Sequence, residues 1–291
     1  MKEIAYLDGR WMKIEEATVP VWDRGYLFAD ALYEVVVSYD GRIWALERHL
    51  LRLERGIREL GMEGVGVAHV RSVLLEAHRR SGISDAHIYL QLTRGVAPRK
   101  HDWTGGMTPS LLVTVRQSPA PDPDILKHGV SVVTTPDIRW GRCDIKTTNL
   151  LPNCLALHKA HEAGAYEAVL IREGGIVTEA AADSLFIVKG PTLITREDGP
   201  HILPGITQGL IVETARRMAI PVERRPFGRE ELFAADEVFL TGTTLAVVPV
   251  VRIDDRTVGT GRVGAMAKKL LAAYMERRRR GDDAPEGRER M

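Results

Sequence analysis

Cysteine, aromatic residues and net charge are all scarce in this sequence of 291 residues. Its two cysteines, Cys143 and Cys154, form neither a C-x-x-C pair nor a metal-ligand spacing with the histidines. We therefore expect two free thiols in a reducing compartment and no metal site. The 40 Lys and Arg residues nearly balance the 39 Asp and Glu residues, so the composition does not favour a nucleic-acid partner.

Long apolar segments are also missing from the sequence. No run approaches the ~18 consecutive apolar residues of a membrane helix, and residues 1–5 lack the apolar stretch of a signal peptide. These absences predict a soluble, cytoplasmic protein with no membrane partner. The hydrophobic fraction of 44% and the charged fraction of 27% are ordinary for a globular chain.

Turn dipeptides and a change of hydrophobic period predict an α+β domain in residues 1–117. Asp8-Gly9 and Asp40-Gly41 each separate two strand-like segments, which is typical of a tight hairpin. Apolar residues then recur at helical spacing in residues 46–60, and a second helix is predicted at 70–80. Further strands are predicted at 87–93 and 111–115. Strands with two helices on one side indicate an α+β arrangement.

A proline-rich segment separates this domain from a larger one. Three of the seven residues in 118–124 are proline, which predicts an interdomain linker. In the larger domain, residues 125–280, we predict helices at 151–162, 207–218 and 263–278. Strands are predicted at 130–134, 168–172, 184–188, 237–240 and 247–251. The charged stretch 281–291 is expected to be disordered.

Three glycine- or threonine-rich segments could each hold a phosphate. Residues 259–264 fit G-x-G-x-x-G, but no buried strand precedes them and no βαβ unit follows, so we interpret them as a loop before the last helix. Residues 204–209 open a predicted helix, where free N–H groups favour an anion. Residues 241–244 form a hydroxyl-rich turn. Taken alone, each of the last two fits an ordinary helix start or turn equally well.

Three basic side chains are candidates for a functional role. Lys146 follows a predicted strand and could act as a nucleophile or base if it lost its proton, although a solvated surface lysine is the commoner case. Arg99 and His101 are two residues apart, so an extended chain places them on one face, where they suit a carboxylate. Without further context, a solvated basic loop is the favoured explanation of the pair.

Together and in this order, seven stretches resemble the class IV aminotransferases, which are the fold-type IV pyridoxal-phosphate enzymes. The stretches are 23–30, 31–36, 47–53, 94–101, 137–146, 177–179 and 203–207. The likeness runs from about Tyr6 to Tyr274 and is greatest to the D-amino-acid aminotransferases. It implies a two-domain α+β fold with a small N-terminal domain and a larger C-terminal domain that contains a mixed, barrel-like sheet.

The resemblance also implies roles for the cofactor residues. Lys146 matches the lysine that holds pyridoxal phosphate as a Schiff base, and Glu179 matches the carboxylate beside the pyridine nitrogen. Arg52 matches the phosphate-binding arginine. The remaining matches are Leu203 under the ring, Arg139 near its phenolic oxygen, and Ile206, Thr207 and Thr243 around the phosphate.

For the substrate, the resemblance implies an α-carboxylate trap made by Tyr33, Arg99 and His101. The loop 94–101 would reach the active site of a neighbouring subunit, so a homodimer is expected. The implied reaction is ping-pong transamination between D-amino acids, such as D-alanine and D-glutamate, and 2-oxo acids, such as 2-oxoglutarate and pyruvate.

Two departures and three alternatives accompany this prediction. Residues 180–184 replace the family's glycine, serines and asparagine with Ala-Ala-Ala-Asp-Ser, and Gly242 replaces a serine in the phosphate turn. The alternatives are an L-branched-chain aminotransferase, an aminodeoxychorismate lyase and a non-enzymatic cofactor-binding protein. The first would not need Arg99 and His101, and the last is disfavoured by the retention of both Lys146 and Glu179.

Overall fold

The computed structural model describes residues 2–103, 105–120 and 122–284, and these form two compact units. The first unit takes residues 1–119, 145–149 and 283–291, and the second takes 120–144 and 150–282. Residues 145–149, expected within the larger domain, thus group with the first unit. The Tyr33 N–H donates to the Lys146 carbonyl at 3.0 Å, and the Thr148 N–H donates to Ala31 at 3.1 Å. These bonds attach the segment to a strand of the first unit.

The first unit is built on a six-stranded antiparallel sheet of order β2-β1-β6-β5-β3-β4. Its strands are β1 (Ile4–Leu7), β2 (Arg10–Met12), β3 (Ala31–Tyr39), β4 (Arg42–Ile43), β5 (Ala86–Thr93) and β6 (Ser110–Gln117). Its helices are α1 (Arg24–Phe28), α2 (Leu46–Glu59) and α3 (Val67–Ser81), with a short 3₁₀ turn at Ile14–Glu16. The helices α2 and α3 pack on the sheet around one apolar core.

Both predicted hairpins and both predicted helices of this unit are confirmed. Asp8 and Gly9 have φ of 46° and 89°, and Asp40 and Gly41 have φ of 50° and 78°. Two successive positive φ angles give the primed turn whose twist matches that of the flanking strands. In α2, Leu46, Leu50 and Leu53 are all buried, as the helical spacing of the apolar residues requires.

The second unit contains a nine-stranded mixed sheet of order β12-β11-β10-β13-β14-β7-β8-β9, with β15 paired to β14. Its strands are β7 (Val130–Pro136), β8 (Glu167–Ile171), β9 (Val177–Ala180), β10 (Ser184–Lys189), β11 (Thr192–Thr195), β12 (Val222–Arg224), β13 (Glu237–Gly242), β14 (Ala246–Ile253) and β15 (Arg256–Thr257). Its helices are α4 (Pro123–His128), α5 (Leu151–Glu162), α6 (Ile206–Arg217), α7 (Arg229–Phe233) and α8 (Ala265–Arg280). The three long helices and five strands predicted here are confirmed, with ends that differ by up to two residues.

Two segments that were predicted to be irregular contain ordered structure. The helix α4 begins inside the predicted linker, because Asp122 caps it by accepting from the Asp124 N–H at 2.9 Å and Pro123 suits its first turn. Within the predicted disordered tail, Asp283 accepts from the Ala45 N–H at 2.8 Å and its carbonyl accepts from Arg48 at 2.8 Å. The rest of the predicted tail, 285–291, lies outside the described residues.

The G-x-G-x-x-G segment, 259–264, is a loop before α8, as predicted. The carboxylate of Glu237 accepts from the N–H groups of Met266 and Ala267 at 2.9 and 3.0 Å. The first turn of α8 is therefore satisfied by a side chain of the protein. Within the described ranges, no helix is long and apolar enough to cross a membrane.

Candidate active site

Lys146 lies in the part of segment 145–149 that is bonded to β3. Ile145 is buried in the core of the first unit, and an isolated bridge joins Thr147 to Leu32. The Lys146 Nζ atom lies 4.2 Å from the centre of the Tyr33 ring. Its main chain is thus fixed on both sides, while its half-buried side chain extends over Tyr33.

Beside Tyr33, a buried carboxylate joins two basic side chains. Glu34 accepts from Arg52 Nε and Nη2 at 2.7 and 2.8 Å, and its Oε2 lies 2.7 Å from His49 Nδ1. Burial alone would raise the pKa of Glu34, but Arg52 and His49 together lower it to about 2. Burial lowers the pKa of His49, and Glu34 opposes that shift. Glu34 therefore fixes the orientation of the predicted phosphate-binding arginine.

Arg99 and His101 are both exposed and lie against one aromatic ring. The Arg99 guanidinium carbon is 5.4 Å from the centre of the Phe28 ring, and the rings of His101 and Phe28 are 5.6 Å apart. The sequence prediction that these two side chains share a face is consistent with this placement.

In the second unit, Glu179 lies at the centre of a polar cluster. Its carboxylate pairs with Arg139 Nη1 and accepts from the Leu203 N–H at 3.1 and 3.2 Å. Asp137 holds the other edge of Arg139, at 2.9 Å. Burial raises the pKa of Glu179, whereas Arg139 and the Leu203 N–H favour its charged form. The predicted residues Arg139, Glu179 and Leu203 are thus brought together.

Two of the predicted phosphate-binding residues, Ile206 and Thr207, lie in the first turn of α6, which no side chain caps. Gly205 is the N-cap of α6 and carries no side chain, so the first-turn N–H groups, including those of Ile206 and Thr207, are not capped by one. A Cβ at Gly205 would fall 2.5 Å from Ser184 Oγ. In β13, ahead of the turn that contains Thr243, the buried Thr241 Oγ1 has no hydrogen-bond partner among the described residues. The uncapped N–H groups at the start of α6 are donors of the kind that bind a phosphate group.

The two departures from the family sequence lie side by side. A Cβ at Gly242 would overlap the carboxylate of Asp183, so glycine leaves the space that the acidic side chain fills. Close by, buried Glu167 accepts from the N–H groups of Ala168 and Ala182 at 2.6 and 3.1 Å. Burial, opposed by the Ala168 N–H and reinforced by Asp183, raises the pKa of Glu167 to about 7.

Several polar residues near the predicted site were not singled out from the sequence. They are Arg24, Asp30, Glu34, His49 and Asp137, and each makes a buried or part-buried ionic contact. All five lie within or beside the stretches that carry the family resemblance, which was the available signal. Their partners could not be assigned, because the pairs are up to 64 residues apart in the chain.

Comparisons with known proteins agree on one family. The profile of amino-transferase class IV matches residues 31–253. The chain is 39% identical to a D-alanine aminotransferase of Bacillus licheniformis over 268 residues, which covers 91% of this chain and 94% of the relative.

Two solved structures are similar over nearly the whole chain. One is a branched-chain amino acid aminotransferase from T.th. with pyridoxamine 5'-phosphate, at a TM-score of 0.87 and 26% identity, covering 97% of this chain and 95% of the other. The second is a 4-amino-4-deoxychorismate lyase from Pseudomonas aeruginosa, at a TM-score of 0.82 and 26% identity, covering 94% of this chain and 98% of the other.

Proposed function

We propose that this chain, which belongs to the amino-transferase class IV family, transfers amino groups between D-amino acids and 2-oxo acids with pyridoxal phosphate as cofactor. The observation that carries this proposal is the placement of Lys146 over Tyr33, on a main chain held to β3. The likeness to a D-alanine aminotransferase over nine tenths of the chain supports the substrate class.

The residues present fit this cofactor. Lys146 would be its attachment point, Glu179 would pair with its ring nitrogen, and Arg52 with the N–H groups of Ile206 and Thr207 would bind its phosphate. When bound, pyridoxal phosphate supplies an electron sink for the substrate carbon that loses its proton. The contact of Arg139 with Glu179 keeps a negative charge at that position.

Lys146 carries the proton in this proposal. As a free amine, Lys146 Nζ would take the α-proton of the substrate as a general base and later release it as a general acid. A lysine with its main chain fixed by the Tyr33 N–H loses little freedom in doing so.

The α-carboxylate is recognised by Tyr33 together with Arg99 and His101 of a neighbouring subunit. Large apolar side chains are exposed in and near this loop, at Val96 and Trp103, and on the segment beside it, at Val21, Trp22 and Tyr26. Exposed apolar side chains of this kind suit burial against a second copy of the chain. Homodimer assembly and a cytoplasmic location stay predictions.

An initial-rate panel tests the reaction. With 2-oxoglutarate as acceptor, D-alanine and D-glutamate should be consumed, whereas L-leucine and L-valine should not. Steady turnover of the L-amino acids alone would instead identify an L-branched-chain aminotransferase. The similarity to the lyase motivates one further arm. Aminodeoxychorismate turnover without a 2-oxo acid would identify a lyase, and no turnover in any arm would favour a non-enzymatic cofactor-binding protein.

A subunit-mixing experiment tests the shared site. Lys146→Ala and Arg99→Ala chains, each of low activity alone, are unfolded together and refolded. If the loop acts on the neighbouring subunit, a mixed dimer has one site with both residues intact, and about a quarter of wild-type activity should return. Refolding that restores no activity would show that Lys146 and Arg99 act in the same chain.

A further inference from the structure

The segment 22–30 holds the Arg99–His101 loop through its backbone. The Arg24 N–H donates to the Gly95 carbonyl at 2.9 Å, and the Ala97 N–H donates to Trp22 at 3.2 Å. A bridge between Asp23 and Val96 lies between these two bonds. The start of the loop is thus tied to this segment, but these bonds stop before Arg99.

The side chain of Arg24 continues the attachment to the end of the loop. Its guanidinium donates from Nη1 to the Lys100 carbonyl at 2.7 Å and from Nη2 to the His101 carbonyl at 3.3 Å. Arg24 is only 3% exposed, and its guanidinium carbon lies 4.8 Å from the centre of the same Phe28 ring that Arg99 and His101 contact.

An acidic side chain holds Arg24 in turn. Its Nε donates to Asp30 Oδ2 at 2.8 Å, and Arg94 donates to the same oxygen at 2.8 Å. The opposite edge of Arg94 is held by the Leu60 carbonyl at 2.9 Å. Both arginines are buried, so the Asp30 carboxylate compensates two charges that have little access to water.

We propose that Arg24 is a positioning residue for substrate recognition. It fixes the peptide groups on either side of His101, and so sets the direction in which Arg99 and His101 present their donors to the substrate carboxylate. This inference rests on the proposed function of the loop. The planar guanidinium serves three acceptors from three separate nitrogen atoms in one fixed fork, whereas the ammonium of a lysine carries all its donors on a single atom.

Arg24→Lys and Arg24→Met test the proposal in the dimeric holoenzyme. Both changes should raise the KM for D-alanine by about tenfold or more, since two charge-assisted hydrogen bonds to the loop are lost. The kcat should change much less, and the dissociation constant of pyridoxal phosphate, measured by absorbance titration, should stay at the wild-type value. A purely structural role would lower thermal stability and leave the KM of the folded protein unchanged.

Arg94→Met is the matched control. Arg94 is the first residue of the loop and shares the Asp30 oxygen, but its other acceptors, the Leu60 and Gly61 carbonyls, lie outside the loop, so the bonds to the Lys100 and His101 carbonyls stay intact. It should therefore lose stability to a similar extent while its KM stays near the wild-type value. A similar rise of KM in Arg94→Met and Arg24→Met would overturn the specific role of Arg24.

A double-mutant cycle with Arg99→Ala tests the role of Arg24 separately from the proposed role of the loop in substrate binding. If Arg24 acts through Arg99, Arg24→Lys should have little further effect on KM once Arg99 is alanine. Equal effects in both backgrounds would refute the inference. Should Arg24→Met fail to fold, Arg24→Lys retains the charge beside Asp30 and still decides the question. If Arg99→Ala itself leaves KM unchanged, the proposed role of the loop fails instead.

Discussion

Replacing Glu167 with glutamine should remove a loss of stability that the wild-type protein shows as the pH rises from about 4.5 to about 7. Glu167 is 2% exposed, and burial with Asp183 nearby raises its pKa from 4.5 to about 7. Between these two pH values the folded chain keeps a proton that the unfolded chain has released. The stability that protonated Glu167 contributes is therefore fully present below pH 4.5 and is lost as the pH rises through 7.

The size of the effect follows from the pKa shift. A difference of about 2.5 pKa units at 1.36 kcal/mol per unit corresponds to about 3 kcal/mol of unfolding free energy. Glutamine cannot ionise, but it keeps only one of the two oxygens that accept from the Ala168 and Ala182 N–H groups, which costs the same at every pH. The unfolding free energy of the variant relative to the wild type should therefore rise by about 3 kcal/mol between pH 4.5 and pH 8.

Urea unfolding followed by circular dichroism at several pH values measures this difference. Protein and cofactor concentrations stay fixed, because both affect the apparent stability of a cofactor-binding oligomer. Asp183→Asn is the companion variant: without the neighbouring charge, the pKa of Glu167 should fall, and the loss of stability with pH should become smaller. A stability difference that does not change with pH would refute the reasoning.

Three further outcomes follow from the site. Lys146→Ala should lower the rate of transamination by roughly 10²-fold or more, while circular dichroism shows an intact fold. Full activity would refute the proposed role of Lys146 in proton transfer. Glu34→Gln should lower the unfolding free energy in urea by about 3 kcal/mol at pH 7, because Arg52 then remains buried without the negative charge beside it; an unchanged urea midpoint would contradict this. Gly242→Ser should cost about 1–3 kcal/mol by overpacking against Asp183, and Asp183→Ala should restore the loss in the double variant. Additive losses in the unfolding curves would show that the two positions are independent.

Sequence patterns over a few residues predicted the long helices and the hairpins well, but they missed several short helices and strands. The apolar spacing of α2 and the Asp-Gly dipeptides act within a few residues, so the sequence contains the whole signal. The segments Arg24–Phe28, Thr192–Thr195 and Arg229–Phe233 were not predicted, because four or five residues are too few to show a period. Their formation depends on partners that lie elsewhere in the chain.

The same distinction applies to the site. Lys146 and Arg99 look like ordinary surface cations in their own surroundings, and only the resemblance singled them out. Neither spacing nor composition indicates that Asp30 joins Arg24 to Arg94, or that Glu34 orients Arg52. Such pairs depend on burial, which strengthens an ionic contact and penalises an unpaired charge. Burial is a property of the folded chain.

The replacements at 183 and 242 show how far a residue-by-residue comparison can mislead. In the sequence they are two separate losses of hydroxyl groups near a phosphate site. In the fold they are one change, because the Asp183 carboxylate occupies the space that a side chain at residue 242 would need. Either replacement alone would leave a gap or a clash, whereas together they keep the turn packed. The added charge remains, and together with burial, which is the larger cause, it raises the pKa of Glu167.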